Sequence, residues 1–203
     1  YKIIIKNTGI DAPLNSQGNG VHSSGADSFG NCVVSVESMN GYNEMGSSAS
    51  TRQGGNADGF TVKYGANNIT FVDTHAHHNS DDGYDFWKGG AGVKLDKSKP
   101  TIRIFYSSAN YNGKNPLTKN GDGNGFKFGS SDDYQKNRGN DNGARLIYGS
   151  AACFNLSKGF DRNKTSTKII VKNLHASGNK KGFEGIPNFG INNSNDVNVI
   201  KCN

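Results

Sequence analysis

A four-residue motif, Ala-x-x-Asn, repeats along the chain, each time after a short run rich in β-branched residues. Its clearest copies run from Ala76 to Asn79, Ala109 to Asn112, Ala152 to Asn155 and Ala176 to Asn179. The closest copies are separated by roughly 20–25 residues, a period that is typical of solenoid coils. In a solenoid, equivalent residues of successive coils stack on one another. This requirement restricts the possible folds of the chain more than any other feature of its sequence.

A second pattern accompanies the first: a glycine followed by an aromatic residue occurs between the motifs. The pairs are Gly59-Phe60, Gly83-Tyr84, Gly125-Phe126, Gly159-Phe160 and Gly182-Phe183. We interpret the glycine as a turn residue that permits a positive φ and the aromatic residue as inward-facing. The asparagines are expected to hydrogen-bond along the stack and to satisfy backbone groups there.

The segments before the motifs predict strands at residues 69–71, 102–104, 145–147, 169–171 and 197–199. Apolar runs with the 3.6-residue period of a helix are absent. Hydrophobic residues make up only 33% of the chain, and glycine occurs 28 times. We therefore predict an all-β fold, a single-stranded parallel β-helix. A β-sandwich with coincidental repeats is the alternative, and the four aligned motifs argue against it.

The formal net charge is +6, which favours polyanionic partners such as an acidic polysaccharide, although a modest excess also serves solubility alone. No Lys/Arg run resembles a nucleic-acid tail, and no apolar stretch is long enough to span a membrane. We therefore predict neither nucleic acid nor a membrane as partner. Cys32, Cys153 and Cys202 lie far apart without a Cys-x-x-Cys pair, which argues against zinc.

Four aspartates stand in two short clusters punctuated by glycine: Asp58 in the first, and Asp81, Asp82 and Asp85 in the second. Successive coils of a β-helix lie about 4.8 Å apart, so Asp58 is expected beside the second cluster. Grouped carboxylates repel one another unless a cation lies among them, and oxygen ligands without His or Cys favour Ca²⁺. The alternative, which the residues leave open, is a set of solvated aspartates in Asp-Gly turns.

A third segment, residues 121–128, follows the same pattern but carries a lysine, Lys127, between Phe126 and Phe128. Strand alternation turns both aromatic side chains inward and Lys127 outward. The segment imitates the first half of an EF-hand loop, but Ser131 stands where the closing glutamate belongs, so we reject an EF-hand. His75 and His77 are predicted to share a strand face, and no cysteine or carboxylate pattern completes a zinc site with them.

The three motifs together resemble the signature of polysaccharide lyase family 9, the right-handed parallel β-helix pectate lyases. The resemblance rests on Asn-Ala-Asp-Gly-Phe at 56–60, Asp-Asp-Gly-Tyr-Asp at 81–85 and Gly-Asp-Gly-Asn-Gly-Phe-Lys at 121–127, and covers roughly residues 20–186. It implies a right-handed helix. It also implies that Lys127 is the catalytic base, and that the ligands of a calcium ion are Asp58, Asp81, Asp82 and Asp85.

The resemblance further implies a secreted lyase that cleaves an acidic plant cell-wall polysaccharide by β-elimination. Cations beside the calcium are expected to hold neighbouring uronates, and the candidates are Lys63, Lys88, Lys114 and Arg162. We expect residues 1–203 to form a single β-helix domain that acts as a monomer. Because family members usually carry more coils before the first calcium aspartate, we also expect that N-terminal coils are missing.

Three other functions compete with cleavage of polygalacturonate. A non-catalytic glycan-binding β-helix would keep the aspartates for calcium-stabilised folding and use Lys127 for charge contact alone. A polygalacturonase would need carboxylates placed around a water molecule, and the Gly-His-Gly and Arg-x-Lys signatures of those hydrolases are absent. A lyase that acts on rhamnogalacturonan is the third alternative. The product distinguishes the reaction types: elimination gives an unsaturated chain end, hydrolysis gives a reducing end without unsaturation, and binding alone gives no product.

Overall fold

The computed structural model describes residues 3–6, 21–24, 32–34, 36–39, 57–63, 68–86, 100–114, 121–129, 144–163, 165 and 168–186. Side chains are described from Ala57 onward, apart from Lys63. Every regular element in these ranges is a β-strand. The described part of the chain contains no helix that is long and apolar enough to cross a membrane.

The strands are short and form three parallel sheets, of six, six and five described strands, and each complete coil contributes one strand to each sheet. Sheet A contains β1 (Ile3–Lys6), β4 (Val36–Met39), β7 (His75–His77), β10 (Ser108–Asn110), β13 (Ala151–Cys153) and β16 (His175–Ser177). Sheet B contains β2 (Val21–Ser24), β5 (Phe60–Lys63), β8 (Tyr84–Asp85), β11 (Phe126–Lys127), β14 (Lys158–Asp161) and β17 (Lys181–Glu184). Sheet C contains β3 (Cys32–Val34), β6 (Ile69–Val72), β9 (Pro100–Phe105), β12 (Ala144–Tyr148) and β15 (Ile169–Lys172).

This arrangement is a parallel β-helix, as the repeats predict. Each coil runs through sheet C, sheet A and sheet B in turn before the next coil begins. Four of the five predicted strands are the strands β6, β9, β12 and β15 of sheet C, and the fifth, at residues 197–199, lies outside the described residues. Cys153 on sheet A is buried and disulfide-bonded to a cysteine whose side chain is not among those described.

The repeated asparagines form the expected ladder. The Asn79 amide donates to Asn112 Oδ1 at 2.9 Å, Asn112 donates to Asn155 Oδ1 at 3.0 Å, and Asn155 donates to Asn179 Oδ1 at 2.9 Å. Backbone N–H groups of the same asparagines donate to the same oxygens. Because every rung satisfies a buried turn, the ladder fixes where each coil leaves sheet A and enters sheet B.

The aromatic residues of the Gly-aromatic pairs stack inside the helix, as predicted. Ring centroids are 4.9 Å apart between Phe60 and Tyr84, 4.4 Å between Tyr84 and Phe126, and 4.9 Å between Phe126 and Phe160. These spacings match the separation of parallel strands, so each ring follows the rise of its own coil. The stack is the centre of the core and anchors sheet B from within.

The predicted reason for the glycines of these pairs is wrong. None of them has a positive φ; the described glycines that do are Gly113, Gly123, Gly149, Gly178 and Gly185. A Cβ at Gly83 would instead lie 2.7 Å from Gly125 O and 2.8 Å from Asn112 Nδ2. Glycine is needed here because neighbouring coils approach one another closely, and no side chain fits between them.

We therefore predict that Gly83→Ala lowers the free energy of unfolding by about 2 kcal/mol, the usual cost of overpacking a core. Gly182→Ala is the matched control, because the nearest atom to its added Cβ is Ala176 Cβ at 3.4 Å. Urea unfolding of both variants measures the difference. Equal destabilisation of the two variants would contradict the close-approach explanation.

Candidate functional site

The site is built on the outer side of sheet B, opposite the stacked rings. Strand register places Lys127 of β11 between Asp85 of β8 and Asp161 of β14. The backbone pairing is strict because the aromatic residue before each of these positions is held in the internal stack. The fold therefore brings into neighbouring positions residues that lie far apart in sequence.

A second line of side chains lies at the turn that leads into sheet B. This turn row consists of the residue before the glycine of each pair: Asp58, Asp82, Asn124, Lys158 and Lys181. Asp58 Oδ1 accepts the Asp82 N–H at 3.1 Å, and Asp82 Oδ1 accepts the Asn124 N–H at 2.7 Å. Each carboxylate thus caps the turn of the next coil, which orients the acids at the same time.

The structure brings Asp58, Asp81 and Asp82 together, as the coil spacing predicts. One carboxylate oxygen from each lies within 4.8 Å of the others, and all three residues are buried. The Asp81 carboxylate is positioned by the Asp122 N–H, which donates to Asp81 Oδ1 at 2.5 Å. Asp85 is also buried, and we call these four residues, Asp58, Asp81, Asp82 and Asp85, the carboxylate cluster.

Lys127 reaches into this cluster. Its side chain is only 12% exposed, and Nζ lies 2.9 Å from Asp82 Oδ2 and 3.0 Å from Asp122 Oδ2. Phe126 and Phe128 are completely buried on either side, so the predicted alternation is confirmed. Lys127 points away from the core, but the carboxylates and the turn enclose it.

Among the described residues, the site contains more carboxylates than cations. Burial raises the pKa of the Asp82 carboxyl well above its usual value; Lys127 opposes this shift, and the neighbouring carboxylates reinforce it. Burial by itself would lower the pKa of the Lys127 ammonium, but Asp82, Asp85 and the other nearby acids outweigh burial and raise that pKa well above its usual value. Burial is thus the main cause of the raised pKa of Asp82, whereas the surrounding carboxylates cause the raised pKa of Lys127.

A calcium ion fits these residues. The available donors are carboxylate oxygens, the ligands that Ca²⁺ prefers, and one oxygen each from Asp58, Asp81 and Asp82 lies within 4.8 Å of the others. The turn row also contains a buried oxygen that could act as a further ligand, Asn124 Oδ1, which accepts no hydrogen bond from the described residues. Asn124 donates from both its backbone and its side chain to Asp82 Oδ1, which keeps this carboxylate oriented.

Of the four predicted substrate-binding cations, Lys114 and Arg162 have described side chains. Lys114 is exposed on the turn after Asn112. Arg162 donates to the backbone oxygens of Thr165 at 2.8 Å and Gly185 at 3.3 Å, so its guanidinium supports a turn. The side chain of Lys63 and the whole of Lys88 lie outside the described residues.

Asp122 is the residue of the site that sequence analysis missed. It is 45% exposed and contacts Lys127 directly. The signal was its place in Gly121-Asp122-Gly123, the same glycine-punctuated pattern that marks the other acids. His75 and His77 do share the outer face of β7, and Tyr84, whose hydroxyl donates to the backbone oxygen of Thr74, belongs to the core.

The fold and the site together define a parallel β-helix protein with a buried acidic site around a lysine. Comparison with known proteins agrees with this class. The family described as "Pel9A-like, right handed beta helix region" matches residues 4–198. The crystal structure of pectate lyase Pel9A superposes with a TM-score of 0.62 and 25% identity, over 89% of this chain and 42% of that chain.

Two curated relatives are also similar. Pectate lyase L of Dickeya dadantii (strain 3937) is 32% identical over 145 residues, which make up 70% of this chain and 29% of that protein. Pectate lyase L of Dickeya chrysanthemi is 30% identical over the same share of each chain. The chain thus spans less than a third of the length of these relatives.

The chain belongs to the Pel9A-like right-handed β-helix family, since the family match covers nearly all of it. The predicted fold, including its right-handed sense, and the resemblance to the pectate lyase-like β-helix proteins are confirmed.

The geometry of the site predicts that Lys127→Met destabilises the protein when calcium is chelated. Removal of one partner of a buried ion pair leaves uncompensated charge and costs about 3 kcal/mol. The contribution is fully present below the ordinary lysine pKa of about 10.4 and is lost only as the pH rises through the raised pKa of Lys127. Chemical unfolding at neutral pH measures the loss.

The control is Lys168→Met, which removes the same charge at an exposed position next to sheet C and is expected to change stability by less than about 0.5 kcal/mol. If the two variants unfold alike, Lys127 does not hold the carboxylate cluster together.

Proposed function

We propose that this protein is a calcium-dependent polysaccharide lyase that cleaves polygalacturonate (pectate) by β-elimination. The observation that carries the proposal is the position of Lys127, whose Nζ lies 2.9 Å from Asp82 Oδ2 inside the buried carboxylate cluster. A base beside a metal site is the arrangement that removal of a weakly acidic carbon-bound proton requires. Membership of the Pel9A-like family supports the same reaction class.

The residues that would hold the calcium are Asp58, Asp81, Asp82 and Asp85. When bound, calcium supplies Lewis-acid stabilisation of the negative charge that develops next to a uronate carboxylate. The chain's own contribution is to orient these acids: Asn124 of the turn row holds Asp82, and the neighbouring Asp122 N–H holds Asp81. Fixed orientation keeps the reorganisation needed during the reaction small.

In the proposed reaction, neutral Lys127 Nζ takes the proton from C5 of a uronate. The electron pair of the C5–H bond becomes the C4=C5 double bond, and the C4–O bond breaks. The leaving oxygen takes a proton from solvent, and the new chain end carries a 4,5-unsaturated uronate. Lys127 returns its proton to solvent before the next cycle.

We further propose that the substrate is an acidic plant cell-wall polysaccharide and that the protein acts outside the cell. The net charge of +6 favours such a polyanion. Lys63, Lys88 and Lys114 stay candidates for contacts with uronates that flank the cleaved bond. Arg162 is a weaker candidate because its guanidinium already bonds two backbone oxygens.

One observation favours a second function, a glycan-binding β-helix without catalysis. Lys127 contacts two carboxylates, Asp82 and Asp122, and its pKa is raised, which opposes the loss of a proton. A lysine held in this way would serve as a permanent positive charge. The two functions differ in product, because only the lyase generates an unsaturated chain end.

Ultraviolet absorbance of the unsaturated uronate during incubation with polygalacturonate at alkaline pH tests the proposal. We expect absorbance to rise with calcium and to stop when a chelator is added. Lys127→Ala is expected to lose roughly 10³-fold in rate, the usual contribution of a general base. Lys168→Ala, which lies away from the site, is expected to retain the wild-type rate. Absence of product from polygalacturonate together with product from rhamnogalacturonan would identify a different substrate. Absence of product from every uronan would refute the lyase.

The pH profile tests the role of Lys127 as a base. Because its pKa is raised, the ammonium form dominates at neutral pH, and the rate is expected to increase steadily into the alkaline range. Arginine keeps its proton throughout, so Lys127→Arg is expected to be inactive at every pH even though the positive charge is retained. A flat profile in the wild type, or turnover by Lys127→Arg, would show that another group removes the proton.

A further inference from the structure

The turn row changes the sign of its charge along the helix axis. Asp58 and Asp82 stand at one end, neutral Asn124 in the middle, and Lys158 and Lys181 at the other end. Lys158 and Lys181 lie in adjacent coils, directly opposite one another in the register of the parallel strands β14 and β17. The turn row thus leads from the buried acidic site to two partly exposed lysines in the following coils. Lys158 reaches the outer face of sheet B that carries Lys127, because its ion-pair partner Asp161 is the register neighbour of Lys127.

Lys158 is held in place by a buried acid. Its Nζ lies 2.8 Å from Asp161 Oδ2, while Asp161 Oδ1 accepts the Asn163 N–H at 2.9 Å. The Asp161 side chain is only 3% exposed, whereas that of Lys158 is 32% exposed. Since an ammonium group has three donors, the pair fixes Lys158 and leaves donors for a ligand outside.

Lys181 repeats the arrangement one coil further on. It forms an ion pair with Glu184, and its side chain is 57% exposed. The exposed pair contributes little to stability, so its value for the fold is small. Neighbouring coils are about 4.8 Å apart, a distance similar to the length of one sugar unit in a 1,4-linked chain.

We propose that Lys158 and Lys181 bind the carboxylates of successive sugar units of an acidic glycan, which therefore lies along the helix axis. The inference rests on the proposed function and extends it, because it assigns residues and a direction to substrate binding. One end of the bound chain lies at the carboxylate cluster and Lys127, and the other lies on the lysines of the turn row. Positioned charges of this kind bind a polyanion without reorganisation.

Binding without catalysis tests this inference separately from the lyase reaction. The dissociation constant of a long oligogalacturonate is measured by calorimetry in chelator, where calcium contributes nothing. We expect Lys158→Met and Lys181→Met each to raise the dissociation constant roughly tenfold, the value of a lost charge-assisted hydrogen bond. Lys168→Met is the control with the same change of net charge and is expected to bind like the wild type.

A double variant distinguishes the loss of the Lys158 charge from the effect of leaving the Asp161 carboxylate without its ion-pair partner. Lys158→Met combined with Asp161→Asn removes the whole pair, and we expect the same tenfold weakening as in Lys158→Met alone. Thermal unfolding confirms that each variant is folded. Wild-type affinity in the double variant and in Lys181→Met would overturn the inference. A wild type that binds the oligomer and never cleaves it would refute the lyase while leaving these binding residues in place.

Discussion

The in-register stacking of one coil on the next is the constraint on which the rest of the structure depends. The asparagine ladder fixes the turn between sheets A and B, and the stacked rings fix the strands of sheet B from inside. A residue placed anywhere in one coil therefore has a neighbour about 4.8 Å away in the next. Residues 24 apart along the chain, such as Asp58 and Asp82, meet only for this reason.

Stacking also explains how the site can be so strongly charged. Stacking places equivalent residues of successive coils next to one another. A buried row of acids is unfavourable in such a stack, because buried carboxylates repel one another. Here the backbone imposes their proximity, and the core stack stabilises the fold against the repulsion. Burial, reinforced by the neighbouring carboxylates, raises the pKa of Asp82, and the same carboxylates raise the pKa of Lys127. Buried carboxylates that lie this close together gain stability when a divalent cation binds among them.

Much of the fold follows from the sequence because a solenoid makes its repeats visible. The Ala-x-x-Asn motifs predict the asparagine ladder, and the Gly-aromatic pairs predict the stack of rings. The positions of Asp58, Asp81 and Asp82 follow from the coil spacing. The environment of Lys127 did not follow, because its contact with Asp122 depends on how residues 121–124 turn before β11. The close approach at Gly83 was missed as well, since a sequence shows which residue is small but not which atoms crowd it.

Calcium titration by calorimetry near neutral pH tests the central claim most directly, namely that the buried carboxylates form a metal site. We expect the wild type to bind calcium. We expect Asp82→Asn to lose this binding, while Asp73→Asn, which changes a 57% exposed aspartate outside the carboxylate cluster, keeps it. Absence of calcium binding by the wild type, or undiminished binding by Asp82→Asn, would contradict the claim.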